Sequence, residues 1–249
     1  MRRALAFLTP FGGAATPTPR TLDWFPFVGA AIGLAVGGIW WLALRAWAPI
    51  VAAAIAVTAD VALTGYLHLD GLADAADGLL PPLDRARRLE VMRDPSVGAF
   101  GAVTVVVVLL LRFVAFAAAP PEPMVVVALW CGSRSAMILI ARTLPYARAN
   151  DGLVTAFVTP AGGDGTPQGP GSTWSIGGTF ALIAGLALAV ALGFFGGGPH
   201  GLAAVGAGAL GAVGVALFAR SRIGGFTGDV LGASGVVSET VGLLILAVK

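Results

Sequence analysis

Charged residues are scarce in this 249-residue chain, because Asp, Glu, Lys and Arg together make up only 11% of it. Ordinary soluble domains contain about 25% charged residues, so this chain has too little polar surface for a water-soluble globule of its size. Hydrophobic residues make up 57% of the sequence. We therefore interpret the chain as an integral membrane protein.

Cysteine and histidine are almost absent. The single cysteine, Cys131, lies in an apolar run and excludes a disulfide within the chain. The two histidines, His68 and His200, are far apart and form no cluster with it. The net charge is +2, but no basic stripe with interleaved aromatic residues is present, so we expect no nucleic-acid partner.

Apolar segments long enough to cross about 30 Å of hydrocarbon recur along the chain. Only helices or closed barrels satisfy the backbone in lipid, so these segments predict an all-α, polytopic helix bundle in the lipid bilayer. No internal repeat is visible, and residues 1–249 read as one domain whose oligomeric state the sequence leaves open. The seven predicted spans are Phe25–Leu44, Ile50–Leu69, Gly101–Ala119, Met124–Ala141, Ile176–Phe195, Leu202–Ala219 and Val230–Val248.

The basic residues predict the orientation of this bundle. A cytoplasmic N-terminus leaves only Arg45 and Lys249 on the outer side, as the excess of positive charge in cytoplasmic loops requires. The connections 70–98, 143–175 and 220–229 then open to the cytoplasm. The basic residues placed on the inner side are Arg2, Arg3, Arg20, Arg85, Arg87, Arg88, Arg93, Arg142, Arg148, Arg220 and Arg222.

Acidic residues are concentrated in one window, with seven of the 13 lying between Asp60 and Asp94. Within it, Asp70, Asp74 and Asp77 stand at i, i+4 and i+7, so a helix places all three carboxylates on one face. Like charges so arranged repel unless a cation lies among them. Because the ligands are oxygen atoms without a Cys or His cluster, the pattern indicates Mg²⁺, with Mn²⁺ as a second choice.

A second interpretation of these aspartates needs no metal. Acidic side chains cap helix ends and are favoured by the positive end of the helix dipole, so the three residues also fit a solvated helix end at the membrane surface. The spacing alone does not choose between the two interpretations.

Two further polar segments favour chemistry. Arg93 and Asp94 precede Gly98 and Gly101, where an arginine can bind phosphate oxygens and glycines leave backbone N–H groups accessible to an anion. The segment Gly224–Asp229 adds an acid, a threonine and glycines before the last span. Acids, arginines and glycines on one side of the membrane indicate a site for phosphate and a metal ion.

These segments, together with others along the chain, resemble the motifs of a known family, and the resemblance covers nearly the whole chain. The sequence resembles the cobalamin synthase family, adenosylcobinamide-GDP ribazoletransferase. The eleven-residue segment His68–Gly78 is the core of the likeness. The other matching motifs are Phe7–Thr9, Phe25–Gly29, Met92–Asp94 with Gly98 and Gly101, Ser133–Arg134, Tyr146–Arg148, and Gly224–Ala233 with Glu239.

The resemblance implies a multi-pass enzyme of the bacterial inner membrane that depends on Mg²⁺ and acts late in cobalamin assembly. Members transfer the adenosylcobinamide-phosphate group of adenosylcobinamide-GDP to α-ribazole or its 5′-phosphate and release GMP. On this basis we predict Asp70, Asp74 and Asp77 as metal ligands and Asp94 or Asp229 as the base. The predicted substrate-binding residues are His68, Arg93, Arg134, Tyr146, Arg148, Thr227 and Glu239.

Some of these features also have structural explanations. Arg134 lies within a predicted span, where it either binds phosphate or pairs with a buried acid such as Asp60. His68 points away from the aspartate face, which favours a position between helices over metal binding. The pattern Gly206–Gly211 fits GxGxxG but lies in a predicted span without a preceding strand, so it predicts close helix packing, as do glycines at four-residue intervals from Gly29 to Gly37.

Two other functions remain open. A CDP-alcohol phosphotransferase shares the membrane location, the metal and clustered aspartates, but its signature requires an arginine where Asp74 follows Ala73. A cation-coupled transporter also places acids at membrane depth. It predicts acids along a path through the membrane and repeat symmetry, whereas the acids here cluster on one side.

Overall fold

The computed structural model is an all-helical bundle and describes residues 1–16, 18–148 and 176–248. Most of the predicted 143–175 connection therefore lies outside the described residues. Within these ranges, the extended backbone pairing is limited to one isolated bridge, between Tyr146 and Phe226. The helices are α1 (Arg2–Leu8), α2 (Phe25–Ala46), α3 (Pro49–Leu63), α4 (Leu67–Leu79), α5 (Arg85–Val91), α6 (Ala99–Ala118), α7 (Pro123–Thr143), α8 (Ile176–Ile223) and α9 (Gly228–Leu246).

The helix starts follow from local sequence. Pro49 and Pro123 begin α3 and α7, where proline lacks only an N–H that has no partner within the helix and already has a helical φ. The side chain of Thr227 caps α9 by accepting a hydrogen bond from the N–H of Val230 at 3.3 Å. Asp84 caps α5 in the same way, accepting from the N–H of Arg87 at 3.0 Å.

The predicted span Ile50–Leu69 is wrong in one respect, since the helix breaks before Leu67. Thr64 donates its hydroxyl to the carbonyl of Asp60, and Gly65 and Tyr66 then adopt φ of 58° and 63°. A left-handed residue ends an α-helix, and glycine accepts this conformation without a steric cost. The chain bends by 87° here. The aspartate-rich segment is therefore helical, as predicted, but forms the separate helix α4.

Over the described ranges, five helices are long and apolar enough to cross a membrane, and the bent pair α3–α4 is a sixth candidate. The helix α8 contains two of the predicted spans. Gly198, with φ of 56°, interrupts the helix before Pro199 and separates the two spans. Its halves fold back on each other, and a Cβ on Gly201 would lie 2.0 Å from the carbonyl oxygen of Gly193. A multi-pass bundle is confirmed, whereas the count of seven is not.

Close packing through small residues holds the long helices together. A Cβ on Gly29 would lie 2.5 Å from the carbonyl oxygen of Trp130, and one on Gly33 would lie 2.8 Å from the Cα of Val127. The predicted close helix packing at these glycines of α2 is confirmed, and the structure shows that the partner helix is α7. Gly208 of the GxGxxG pattern makes the same kind of contact with α9, which confirms its packing role.

The short helix α4 packs on the N-terminal parts of α6 and α9. A Cβ on Gly71 would lie 3.1 Å from the Cα of Asp229, so the backbones of α4 and α9 approach closely there. At its other end, α4 brings Asp77 against Gly98 and Gly101 at the start of α6. We call this end of the bundle, where α4, α5 and the beginnings of α6 and α9 meet, the site face.

Candidate active site between α4 and α9

Three aspartates come together where α4 meets α9, and we call Asp70, Asp74 and Asp229 the acid cluster. The helical spacing of Asp70 and Asp74 places them on one side of α4, and Gly71 lets the first turn of α9 approach with Asp229. Asp74 is partly desolvated and is repelled most strongly by Asp229 and then by Asp70. The cluster therefore carries an excess of negative charge.

Arg148 offsets part of this charge. One of its guanidinium nitrogens donates to Oδ2 of Asp229 at 2.8 Å and to the carbonyl oxygen of Met92 at 3.0 Å. The Arg148 side chain is 11% exposed, and its buried Nε has no hydrogen-bond partner among the described residues. A buried guanidinium beside carboxylates retains donors for an additional anion, such as a phosphate oxygen.

A short backbone pairing holds Arg148 in place. The N–H of Ala147 donates to the carbonyl of Phe226 at 2.9 Å, and the N–H of Phe226 donates to the carbonyl of Pro145 at 3.0 Å. The rings of Tyr146 and Phe226 meet edge to face, with centroids 5.5 Å apart. Tyr146 thus supports the loop that presents Arg148, and its role in substrate binding stays a prediction.

The predicted site residue Thr227 also has a structural position. Its hydroxyl caps α9 and also donates to Oδ2 of Asp229 at 3.1 Å. Thr227 is fully buried. It therefore orients the Asp229 carboxylate from one side while Arg148 holds it from the other.

Asp77 differs from the other two aspartates of α4. Its carboxylate accepts hydrogen bonds from the N–H groups of Gly98 at 2.7 Å and Gly101 at 2.9 Å, and Asp77 is only 8% exposed. These N–H groups belong to the first turn of α6 and have no partner within the helix. The capping interpretation therefore describes Asp77, whereas Asp70 and Asp74 lie in the acid cluster.

We expect Asp77→Asn to lower stability with little effect on the acid cluster. The amide oxygen can accept one of the two N–H bonds, so the loss should be about 1 kcal/mol. Thermal unfolding of the purified protein in detergent measures this, with Asp84→Asn at the exposed cap of α5 as the matched control. An Asp77→Asn protein with unchanged unfolding temperature would contradict the capping role.

Asp94 and Arg93 lie in the turn after α5, and both are exposed. Asp94 accepts a hydrogen bond from the N–H of Ser96 at 2.9 Å. Hydrogen bonds from the Ser96 side chain and backbone lower the pKa of Asp94, which makes it a weaker base. The strongest electrostatic neighbours of Asp74 and Asp229 do not include Asp94. Of the two predicted bases, the structure brings only Asp229 into the acid cluster.

His68 lies between helices, as its position relative to the aspartates predicts. It is 6% exposed, and a Cβ on Gly232 of α9 would lie 3.5 Å from its Cα. Its buried Nδ1 has no hydrogen-bond partner in the part of the chain that the structure describes. The role of His68 in substrate binding stays a prediction.

Arg134 and Glu239 belong to a buried group of four charges that we call the ion quartet: Asp60, Arg112, Arg134 and Glu239. Arg134 pairs with Oε1 of Glu239, while Arg112 pairs with Asp60 and, at 2.6 Å, with Oε2 of Glu239. Each residue is at most 4% exposed. Arg134 does pair with a buried acid, but that acid is Glu239 and not Asp60. The predicted substrate roles of Arg134 and Glu239 stay predictions.

The sequence predicts that Arg112, inside a span, pairs with an acid or extends to the interface, and the structure shows it paired with both acids of the ion quartet. Sequence reasoning missed the role of a second arginine, Arg88. Arg88 is 3% exposed and donates to the carbonyl oxygens of Gly78 at 2.8 Å and Leu79 at 2.7 Å. It thereby caps the C-terminal end of α4, which its position on α5 does not reveal.

The donor set of the acid cluster fits a hard divalent cation. Carboxylate oxygens are the ligands that Mg²⁺ prefers, and Mg²⁺ usually takes only one or two of them together with waters and substrate phosphates. Among the described residues, no group of three or more His, Cys, Asp or Glu side chains has the geometry of a metal site. A cation at the acid cluster would therefore need ligands from water or substrate in addition to those from the protein.

Comparison with known proteins identifies the family. The model of the family described as cobalamin-5-phosphate synthase matches residues 1–247. An adenosylcobinamide-GDP ribazoletransferase of Chlorobium phaeobacteroides (strain BS1) is 35% identical, over 96% of this chain and 92% of the relative. One of Pseudomonas paraeruginosa (strain DSM 24068 / PA7) is 37% identical, over 98% and 96%. No solved structure matches the chain significantly. This chain belongs to the cobalamin-5-phosphate synthase family.

Proposed function

We propose that this protein transfers the adenosylcobinamide-phosphate group of adenosylcobinamide-GDP to α-ribazole, or to α-ribazole 5′-phosphate. A ribose hydroxyl oxygen of the acceptor forms a bond to the cobinamide-linked phosphorus. The bond between that phosphorus and the bridging oxygen of the diphosphate breaks, and GMP leaves with the electron pair. The hydroxyl proton passes to a carboxylate. Such a displacement depends on alignment and charge neutralisation more than on covalent catalysis.

The acid cluster with its buried arginine is the observation that carries the proposal. It combines carboxylates, which suit a cation, with Arg148, which suits phosphate, at the contact of two segments that resemble the family motifs. The names of the relatives favour this reaction over a CDP-alcohol phosphotransferase. The same names favour the proposed reaction over the function of a cation-coupled transporter.

Within the site, we assign separate roles to Asp229 and Arg148. Asp229 accepts the proton of the attacking hydroxyl, since Thr227 and Arg148 hold its Oδ2 and fix its orientation. Arg148 donates to phosphate oxygens of the diphosphate through nitrogens that Asp229 and Met92 leave available. Arg93, exposed beside the site, is a second candidate for phosphate binding.

Asp70 and Asp74 would hold Mg²⁺, or Mn²⁺ in its place, and this cation supplies the positive charge that neutralises the diphosphate. Asp77 was predicted as a third ligand. Because both its oxygens already accept hydrogen bonds from the start of α6, we assign it the support of α4 and α6 instead. Asp70 is exposed and Asp74 is half-buried, so these two aspartates of α4 are accessible to a cation.

We further propose that the protein lies in the bacterial inner membrane with the site face towards the cytoplasm. The excess of arginines on the connections of that face supports this orientation. The nucleotide substrate would then reach the acid cluster from the cytoplasm.

A membrane assay tests the proposed reaction. Purified protein in nanodiscs is incubated with adenosylcobinamide-GDP, α-ribazole and Mg²⁺, and GMP is quantified by chromatography. We expect GMP and the corrinoid product in equal amounts, and no GMP when the acceptor is omitted. Turnover of a CDP-linked lipid precursor, or an ion flux, in place of GMP release would overturn the proposal.

A further inference from the structure

In the ion quartet, every carboxylate oxygen already accepts a hydrogen bond from another member of the quartet or from a neighbouring side chain. Trp130 donates its indole N–H to Oδ1 of Asp60 at 2.9 Å, and Arg112 binds Oδ2. In Glu239, Oε1 accepts from Ser133 and Arg134, and Oε2 accepts from Arg112. Two carboxylates and two guanidiniums balance in charge. Buried ion pairs seldom add net stability, but breaking one leaves an uncompensated charge, so they can enforce one arrangement of helices.

Each acid of the quartet is ten residues away in the sequence from an aspartate of the acid cluster. Asp60 precedes Asp70 by ten residues and lies on α3 just before the bend into α4. Glu239 follows Asp229 by ten residues on α9. The quartet thus links the two segments whose carboxylates form the cluster.

Arg112 makes that link. Its guanidinium binds Asp60 and Glu239, and it also donates to the hydroxyl of Thr240 at 2.9 Å and to the carbonyl of Val236 at 3.0 Å. Three of these four partners belong to α9. One planar, forked cation therefore fixes the end of α3 against α9.

We propose that Arg112 is a positioning residue for the acid cluster. By joining Asp60 to Glu239, it sets the distance between α4 and α9, so that Asp70 and Asp74 lie against Asp229. The inference rests on the proposed function, because the alignment that it describes serves the cation and diphosphate of that reaction.

The test removes the link without leaving an unpaired charge. In the double variant Asp60→Asn/Arg112→Gln, Glu239 keeps Arg134 and the Trp130 N–H keeps an oxygen acceptor. We expect cooperative thermal unfolding near the wild-type temperature, together with Mn²⁺ binding weakened at least about tenfold, measured by electron paramagnetic resonance without substrate. The matched control is Asp23→Asn/Arg142→Gln, which removes another ion pair, joined at 2.6 Å, between the buried Arg142 of α7 and the partly exposed Asp23 before α2. We expect unchanged Mn²⁺ affinity in this control.

A second variant, Arg112→Lys, keeps the charge but loses the planar fork. We expect it to fold and to bind Mn²⁺ several-fold more weakly. Wild-type Mn²⁺ affinity in either folded variant would overturn the inference, because a purely stabilising role predicts normal binding in a stable protein. Failure of the wild-type protein to bind Mn²⁺ or to release GMP would instead refute the proposed function, so the two failures are distinguishable.

Discussion

Asp74→Asn should lower GMP release by more than about 100-fold, because it removes a carboxylate from the centre of the acid cluster. Asp74 interacts electrostatically with Asp229 of α9, with Asp70 of its own helix and with Arg148. Asparagine has nearly the same shape, and within residues 1–16, 18–148 and 176–248 Asp74, unlike Asp77, accepts no hydrogen bond from the start of a helix. The amount of protein inserted in the membrane and its unfolding temperature should therefore stay unchanged. Initial rates in nanodiscs, normalised to folded protein, measure the effect.

The matched comparison for Asp74→Asn is Asp77→Asn on the same helix. We expect the two variants to show opposite patterns, with activity lost but stability kept in the first, and stability lowered but activity per folded molecule largely kept in the second. Full turnover by Asp74→Asn would remove Asp74 from the site and with it the proposed role of α4.

Arg148→Gln should lower kcat/KM for adenosylcobinamide-GDP about 10- to 100-fold, since hydrogen bonds to charged groups contribute about 1.5–3 kcal/mol each. The substitution removes the cation that pairs with Asp229 and that we assign to phosphate. It also leaves the acid cluster without its nearby positive charge, so binding of the anionic substrate should suffer. Steady-state kinetics with varied adenosylcobinamide-GDP separate an effect on KM from one on kcat.

The control for Arg148→Gln is Arg87→Gln, since Arg87 is more than half exposed and pairs with Glu90 on α5 at 2.8 Å. It removes the same charge from the same face of the bundle, but from a solvent-exposed ion pair. Equal losses in the two variants would show that only the general charge of the face matters. That outcome would contradict the specific assignment of Arg148.

The sequence was sufficient to predict the helical class and the shared face of Asp70 and Asp74. Apolar length determines that a segment is a membrane helix, and a spacing of four residues determines that Asp70 and Asp74 share a face. Both features depend on a few neighbouring residues. The same local reasoning predicted that Gly29 and Gly33 lie at a helix contact, because only small residues allow backbones to approach closely.

Features that depend on distant residues could not be predicted in this way. The bend between α3 and α4 places Tyr66 in the left-handed region, which a non-glycine residue adopts only when surrounding structure enforces it. Arg112 finds its partners on α3 and α9, far away in the chain, and nothing local chooses Asp60 or Glu239 for it. Asp77 likewise fits the helical spacing of Asp70 and Asp74. Its position beside the start of α6, which no local pattern reveals, gives it a capping role.

The binding of Mn²⁺ to the protein in nanodiscs, followed by electron paramagnetic resonance without substrate, tests the central claim most directly. The claim is that accessible carboxylates of α4, gathered against α9, hold the cation that the reaction requires. We predict saturable binding by the wild-type protein and by Asp77→Asn, and at least about tenfold weaker binding by Asp74→Asn. Equal Mn²⁺ affinity in the wild-type and Asp74→Asn proteins would contradict the account.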